Sequence, residues 1–443
     1  MTVFNLSDND LQRVCRDIAW SELSTMPHVR SLIGSRLGEK SDYEASPFSP
    51  VHSHTWAAED LNVDSLARMQ LATAAATWCN AYDAGFEDLF LAKRCSSDWA
   101  KVMQRARTAG AAHFTFSSSG STGVGKHIRH REDVLANEAM AWANIVNNAK
   151  NQIVERIVLL VPTNHIYGFI WGVLLPHALG KPVIEADLST LPDLQTGDLI
   201  VAVPDQWAWL AQNAKTVKRW PQRVQGVSST APIPADIHSK LIANIAIETI
   251  ATTDILEKSS GGRLSRLFQI YGSSETAGLA YRADPAAPYS LLPGRLRFVN
   301  TALSTAGESQ IQLQLPNGIQ TTMVVQDELK WVNDTDFELL RRNDYSVQVG
   351  GHNVSPDWVV AQLLKNPLVK EASVRLNTKQ QPPKLKAFIV LNSENSHDDF
   401  AVQQSELERW IADALPHYAT FNAIAYGTEL PKSATGKLSD WEN

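Results

Sequence analysis

The sequence predicts an α/β protein: a large domain with mostly parallel sheets, preceded by a small helical region and followed by a small α+β unit. Three observations carry this. Between about 110 and 325, short apolar runs alternate with helical patterns, the rhythm of strand–helix–strand units. Within that span the apolar run Phe114 to Phe116 leads straight into Ser117-Ser-Ser-Gly-Ser-Thr-Gly-Val-Gly-Lys126, a loop of hydroxyls, glycines and a terminal cation. Beyond Arg342, about 100 further residues carry the pattern of a separate compact unit.

The chain has 443 residues, too many for one ordinary core. Hydrophobic residues make up 44% and charged residues 20%, a globular composition. A net charge of −7 argues against nucleic-acid binding, and no apolar run is long enough to span a bilayer. Cys15, Cys79 and Cys95 are odd in number and not spaced for metal, as expected of reduced thiols in a cytoplasmic protein.

Taken in order, Leu11, Val14, Ile18 and Leu23 have helical spacing, so 8–24 is predicted helical. Residues 31–60 have no period and read as a loop. Asp64 caps a second helix whose apolar positions are Leu66, Met69, Leu71, Ala74 and Trp78, and 87–107 are helical in part. The apolar runs of the α/β span are Ile157 to Val161, Val173 to Leu179, Leu199 to Val203, Trp207 to Ala211 and Leu267 to Tyr271. Residues 307–315 and 320–326 alternate as hairpin strands do. The last unit has strands at Ala372 to Leu376 and Lys386 to Leu391, and a helix from Ser405 to Leu415. The expected divisions are 1–108, 109–342 and 343–443.

The Ser/Gly loop suits a polyphosphate, because backbone N–H groups, hydroxyls and a lysine converge there and Gly120, Gly123 and Gly125 permit close approach. Gly120 to Lys126 also fits the start of G-x-x-x-x-G-K-[ST], but His127 stands where that motif needs a hydroxyl, and Ile128-Arg-His-Arg-Glu-Asp133 is a poor helix start. A Ser/Gly-rich surface linker is the plainest alternative.

Further motifs follow: Val161-Pro-Thr-Asn-His-Ile-Tyr-Gly168 after a strand, Ser228-Ser-Thr-Ala-Pro-Ile-Pro234, and Tyr271-Gly-Ser-Ser-Glu-Thr276. Asp327 is followed by Arg342 and by a run through Asp344 to Gly350-Gly351. Leu430-Pro-Lys-Ser-Ala-Thr-Gly-Lys437 stands almost at the C-terminus. In this order and spacing, 113–443 resembles the adenylate-forming superfamily of acyl- and aryl-CoA ligases, luciferase-like enzymes and peptide-synthetase adenylation domains.

The resemblance implies a site made as follows. Ser118, Ser119, Gly120, Ser121, Thr122, Gly123 and Lys126 would hold the phosphates of ATP. Thr230, Ala231 and Pro232 would lie against adenine, as would Tyr271. Gly272, Ser273 and Ser274 would meet the α-phosphate, and Glu275 with Thr122 would hold Mg²⁺. Asp327 would bind the ribose beside Arg342, and Asp344 would be the hinge of a mobile C-terminal domain. Gly350 and Gly351 would face the incoming thiol, and Lys437 would be the catalytic lysine. His165, Phe169, Trp171, Ser229 and Gly272 would form the acid pocket, with His165 counted among the catalytic groups beside Lys437 and Glu275. Arg341 stands where the family has Gly, and Val325-Gln-Asp327 where it has Thr-Gly-Asp.

The implied reaction is adenylation of a carboxylic acid, then transfer to a thiol of CoA or of the phosphopantetheine on an acyl-carrier protein. Amino-acid-activating members carry an Asp shortly after the His165 position; Gly168-Phe-Ile-Trp-Gly-Val-Leu-Leu175 has none, so an aryl acid is expected. Several runs resemble a compact branch that includes ligases for 4-hydroxybenzoate- or coumarate-type acids. The alternatives are a medium- or long-chain fatty acid ligase and a non-catalytic carrier or scaffold; the latter would be marked by loss of Glu275 or Lys437, and both are present. Leu61-Asn-Val-Asp-Ser-Leu66 resembles the attachment site of an acyl-carrier domain, with Ser65 as the phosphopantetheine position. Asp64 and Ser65 also make an ordinary helix cap. The expectation is a structural region, packed on the α/β core through Leu66, Met69 and Trp78.

Overall fold

The computed structural model describes residues 4–25, 64–118, 126–147, 153–213, 220–221, 223–242, 264–293, 296–298, 309–314, 320–325, 327–342, 346–350, 352–377, 383–392, 400–431 and 440–441. The first helix, α1 (Asp8–Thr25), opens on a reciprocal cap: Ser7 Oγ accepts the Asp10 N–H at 3.2 Å and the Asp10 carboxylate accepts the Ser7 N–H at 3.0 Å. Next come α2 (Ser65–Trp78), α3 (Glu87–Ala92) and α4 (Ser96–Thr108). The Asp64 side chain accepts the Ala67 N–H at 2.8 Å, so Asp64 does cap α2, and Ser65 is exposed at its first position.

The expected packing face of α2 needs correction. Trp78 is buried, but Leu66 is 71% and Met69 54% exposed. The buried face is Ala67, Leu71, Ala72, Ala75, Ala76 and Trp78. Its small side chains let the helix lie close to its neighbours, and that close packing takes precedence over burying two larger residues on another face. Burial pushes the Cys79 thiol up to about 12 and the Cys15 thiol well above its usual value, so both are inert packing groups.

Strands β1 (His113–Ser118) and β2 (Lys126–Arg131) form an antiparallel hairpin in which Ser118 pairs with Lys126. The G-x-x-x-x-G-K reading fails here, because that motif requires a helix where β2 continues as a strand. Helix α5 (Glu132–Asn147) follows directly.

A nine-stranded sheet forms the centre of the protein. Its strands are β3 (Arg156–Leu159), β4 (Val183–Glu185), β5 (Asp198–Ala202), β6 (Gln225–Ser228), β7 (Arg266–Ser273), β8 (Ala277–Arg282), β9 (Tyr289–Leu291), β13 (Asp327–Trp331) and β14 (Asp336–Arg342). In spatial order they run β13-β14-β9-β8-β7-β6-β5-β3-β4. The half from β4 to β7 is parallel and the half from β7 to β13 antiparallel, so the sheet is mixed where mostly parallel strands were expected. The switch follows from connection length: the turn Ser274–Thr276 between β7 and β8 is too short for a crossover. A separate three-stranded sheet holds β10 (Leu296–Phe298), β11 (Ser309–Gln314) and β12 (Gln320–Val325), the last two being the predicted hairpin.

The apolar runs Val173 to Leu179 and Trp207 to Ala211 are helical. The first lies in a π-helical turn (Ile170–Leu174) and α7 (Leu175–Leu179), which continue α6 (Ile166–Phe169). The second lies in α8 (Pro204–Gln212). With α9 (Ala235–Leu241), α8 covers one face of the sheet. Alternate strand residues serve the two faces, as the pleat requires. Val158, Leu160, Ile200 and Ala202 point towards α8 and α9, while Ile157, Leu159, Leu199 and Val201 join the other cluster. That second cluster also holds Leu11, Val14, Ile18, Leu71, Trp78, Trp99 and Met103. The N-terminal helices therefore share one core with the sheet, and the division expected at 108 does not interrupt it.

The small unit has β15 (Val347–Val349) and β16 (His352–Val354), α10 (Pro356–Leu363), β17 (Val369–Asn377), β18 (Lys384–Leu391), α11 (Phe400–Ala414) and β19 (Phe421–Gly427). β17 pairs antiparallel and β19 parallel with β18. Its core draws on residues from Val349 to Ala419, none of which joins the clusters of the large sheet.

Candidate active site

The parallel strands end on one edge, where an open α/β sheet places its ligands. β3 runs into the turn at 161–165, β6 into Ser229–Pro232, and β7 into Ser274–Thr276, so three of the motifs meet there. Two glycines make the packing of this edge feasible. A Cβ on Gly272 would stand 2.1 Å from the Ala277 carbonyl oxygen, and one on Gly168 would stand 1.9 Å from that of Pro162. Both obstacles are backbone, so no side-chain movement relieves them.

Tyr271 is nearly buried, its ring edge-on to Phe337 at 5.4 Å. Its hydroxyl donates to Asp327 Oδ2 at 2.8 Å. Asp327 pairs across the sheet with Arg342, whose backbone alone is described. The tyrosine and the aspartate, 56 positions apart in sequence, are thus one hydrogen-bonded pair. His130 on β2 shares a 2.7 Å hydrogen bond with the Ser274 carbonyl, its Nε2 donating, and so ties the hairpin that carries the Ser/Gly loop to the turn after Tyr271. Within that turn the Ser273 N–H donates to Thr276 Oγ1 at 3.0 Å, and Glu275 is exposed. Thr230 adopts φ +79°, and its Oγ1, like Ser228 Oγ, is buried without a hydrogen-bond partner among the described residues. Orphan hydroxyls and a left-handed β-branched residue at a strand end fit a segment shaped for a ligand.

His165 occupies the N-cap position of α6 on extended backbone, without a side-chain capping bond. The protein around it disfavours the charged imidazole and lowers its pKa. His352, just past Gly350, stacks on Tyr418 at 4.2 Å. Burial first, then repulsion from His165, brings its pKa down to about 4.

Phe169 and Trp171 require correction. Phe169 is 0% and Trp171 1% exposed. Phe169 packs against Phe114, Trp78 and Phe116, and Trp171 against Trp142 at 4.9 Å. They fill the core behind the site because their helix turns that face to the sheet. Ser119, Gly120, Ser121, Thr122, Gly123, Asp344, Gly351 and Lys437 lie outside the described residues, and Ser118 is described by backbone alone. Sequence reading missed Tyr167, whose hydroxyl is hydrogen-bonded with the carbonyls of Ala202 and Val227 at 3.1 and 3.0 Å, bracing the ends of β5 and β6. It also missed His130; a histidine amid alternating charges on a hairpin gives no sequence signal.

The chain is 33% identical over 389 residues to a 4-coumarate–CoA ligase of Halorhodospira halophila, covering 86% of this chain and 88% of that one. A second 4-coumarate–CoA ligase, from Cereibacter sphaeroides, is also 33% identical, over 86% of this chain and 84% of its own. This chain belongs to the adenylate-forming ligases. As a member it is an ATP-dependent, AMP-forming acid–thiol ligase. Residues 361–437 match the AMP-binding enzyme C-terminal domain. The fold resembles that of o-succinylbenzoate CoA synthetase from Bacillus subtilis, with a TM-score of 0.52 at 18% identity over 73% of this chain and 67% of that one. A match over 86% of this ligase exceeds what 109–443 can supply, so the likeness reaches into the first 108 residues, in keeping with their shared core.

Tyr271→Phe tests the nucleotide side of the site. Removing one hydrogen bond costs about 1 kcal/mol, so the KM for ATP is expected to rise about fivefold with the melting temperature nearly unchanged. An unaltered KM for ATP would show that the Tyr271–Asp327 pair does not order the nucleotide site.

Proposed function

We propose that this ligase joins an aryl carboxylic acid of the 4-coumarate or 4-hydroxybenzoate kind to CoA. The observation that carries the choice of acid is that 161–174, on the edge of the parallel strands, contains no acidic side chain to pair a substrate ammonium. Asp17, which lies against this turn, has its Oδ2 engaged by Thr163. The 4-coumarate–CoA ligases to which the chain is similar support an aryl acid and CoA.

In this reading the Ser/Gly loop and Lys126 receive the outer phosphates, Ser229–Pro232 and Tyr271 border adenine, and Asp327 takes the ribose hydroxyls. A carboxylate oxygen of the acid attacks the α-phosphorus, and the bond to pyrophosphate breaks. Lys437 neutralises charge developing in that step. The thiolate of CoA then attacks the acyl carbon and AMP departs, with Gly350 and Gly351 beside the thiol. Glu275, an exposed hard carboxylate just past the end of β7, would hold a Mg²⁺ bound with the nucleotide. When bound, the ion supplies positive charge against the phosphates.

Acid-dependent exchange of pyrophosphate into ATP tests this, with 4-coumarate, 4-hydroxybenzoate, octanoate and phenylalanine as the acids. Exchange is expected with the two aryl acids, and with CoA the matching thioester should accumulate. Preference for octanoate would replace the aryl reading with a fatty acid ligase; preference for phenylalanine would refute a neutral pocket.

A further inference from the structure

We propose that Asp17, on the N-terminal helix α1, is a positioning residue for the acid-binding turn at 162–165. The proposal rests on the adenylation reading above. Asp17 Oδ2 accepts two hydrogen bonds from Thr163, from the backbone N–H at 2.6 Å and from Oγ1 at 2.5 Å. Thr163 is fully buried and stands two residues before His165. α2 holds the next residue: Trp78 Nε1 donates to the Asn164 carbonyl at 3.2 Å. Beyond the motif, Arg13 donates to the Gly172 carbonyl at 2.9 Å, inside the π-helical turn. Arg13 and Arg16 together grip Glu185 at the end of β4, the Arg16 contacts lying at 2.8 and 2.5 Å. The helix therefore joins the acid-binding turn to the end of β4, and Asp17 is its direct attachment to the former.

The two short bonds to one carboxylate oxygen fix both the direction of the 162–163 backbone and the Thr163 rotamer. That in turn sets where Asn164 and His165 leave the turn. Besides Thr163, the groups acting on Asp17 are Glu185 from β4 and Arg16 from its own helix. Burial dominates and raises its pKa to about 6. Above that pH the carboxylate accepts both bonds at charge-assisted strength; below it the carboxyl is protonated and they weaken. Because the folded pKa lies above the ordinary value of 3.8, this protonation stabilises the fold relative to the unfolded chain as pH falls from about 6 towards 4. A loss of acid affinity below pH 6 would therefore not be the onset of unfolding at this residue.

The experiment measures pyrophosphate exchange by the full chain against 4-coumarate and against ATP, between pH 5.5 and 8, for wild type, Asp17→Asn, Thr163→Ser and Thr163→Val. The expected result for Asp17→Asn is a KM for the acid raised about tenfold, the size of a lost charge-assisted bond, with the KM for ATP within about twofold. The pH dependence of the acid KM near 6 should vanish in that variant. Thr163→Ser, which keeps both donors, should behave as wild type, and Thr163→Val should raise the acid KM even if Asp17→Asn fails to fold. An acid KM unchanged in folded Asp17→Asn or in Thr163→Val, or a loss shared equally by acid and ATP, overturns the positioning role alone. Wild-type protein without exchange on any carboxylic acid overturns the adenylation reading and this proposal with it.

Discussion

Lys437→Ala is expected to slow acyl-adenylate formation by about 10²-fold or more, the usual loss when a donor aimed at developing charge is removed. Transfer to CoA from chemically supplied acyl-AMP is expected to remain near the wild-type rate, because the role proposed for the lysine lies in adenylation alone. Lys386, almost fully buried, donates to the Trp441 carbonyl at 2.7 Å, pairs with Asp440 at 2.8 Å, and lies 4.8 Å from the centre of the Trp441 ring. The chain is thus fastened three residues past Lys437. Pyrophosphate exchange and single-turnover thioester formation, measured separately, check the assignment. Exchange at the wild-type rate in the variant removes Lys437 from the chemistry, and equal loss of both half-reactions points to a damaged domain.

Glu132→Ala is expected to cost about 3–5 kcal/mol of stability, the range for breaking one partner of a buried ion pair. Arg107 and Glu132 meet at 2.6 Å with side chains 1% and 2% exposed. Arg107 also donates to the Phe4 carbonyl at 2.8 Å, so the pair joins the chain start, the end of α4 and the start of α5. Removing the carboxylate leaves a buried guanidinium with too little compensation. Denaturant titration followed by tryptophan fluorescence measures the loss. Because the N-terminal helices and the sheet share a core, Trp99 and Trp171 are expected to unfold together. A loss below about 1 kcal/mol, or an early separate transition of the first 108 residues, would show that the N-terminal region is an independent unit.

Much of the candidate site could be proposed from the residues themselves. Tyr271, Asp327 and the Ser/Gly run ending in Lys126 carry chemistry that few residue types supply, and their order along the chain survives any detail of packing. The α/β class, the strands at Ile157, Leu199 and Leu267, the hairpin at 309–325 and the small unit after Arg342 followed from local period alone. Periodicity could not tell that Val173 to Leu179 and Trp207 to Ala211 are helical, because a short apolar run buried on every side looks alike in either state. Phe169 and Trp171 were placed in the pocket by composition, yet side-chain direction depends on how a helix is rolled against its sheet.

Sequence determined the chemistry of this ligase: which groups can hold phosphates, meet a ribose and stabilise charge, and that no carboxylate waits for an ammonium in 161–174. Tertiary structure decided how those groups are held. Asp17 and Thr163 are 146 positions apart and Tyr271 and Asp327 are 56 apart, and no local pattern announces either pair. It also decided that the N-terminal helices belong to the main core, since Leu66 and Met69 face solvent while the alanine face of α2 is buried. The physical reason is the same in each case. Local propensity and period fix what a segment can form, whereas burial and hydrogen-bond satisfaction depend on partners distant in sequence, which exist only once the chain has packed.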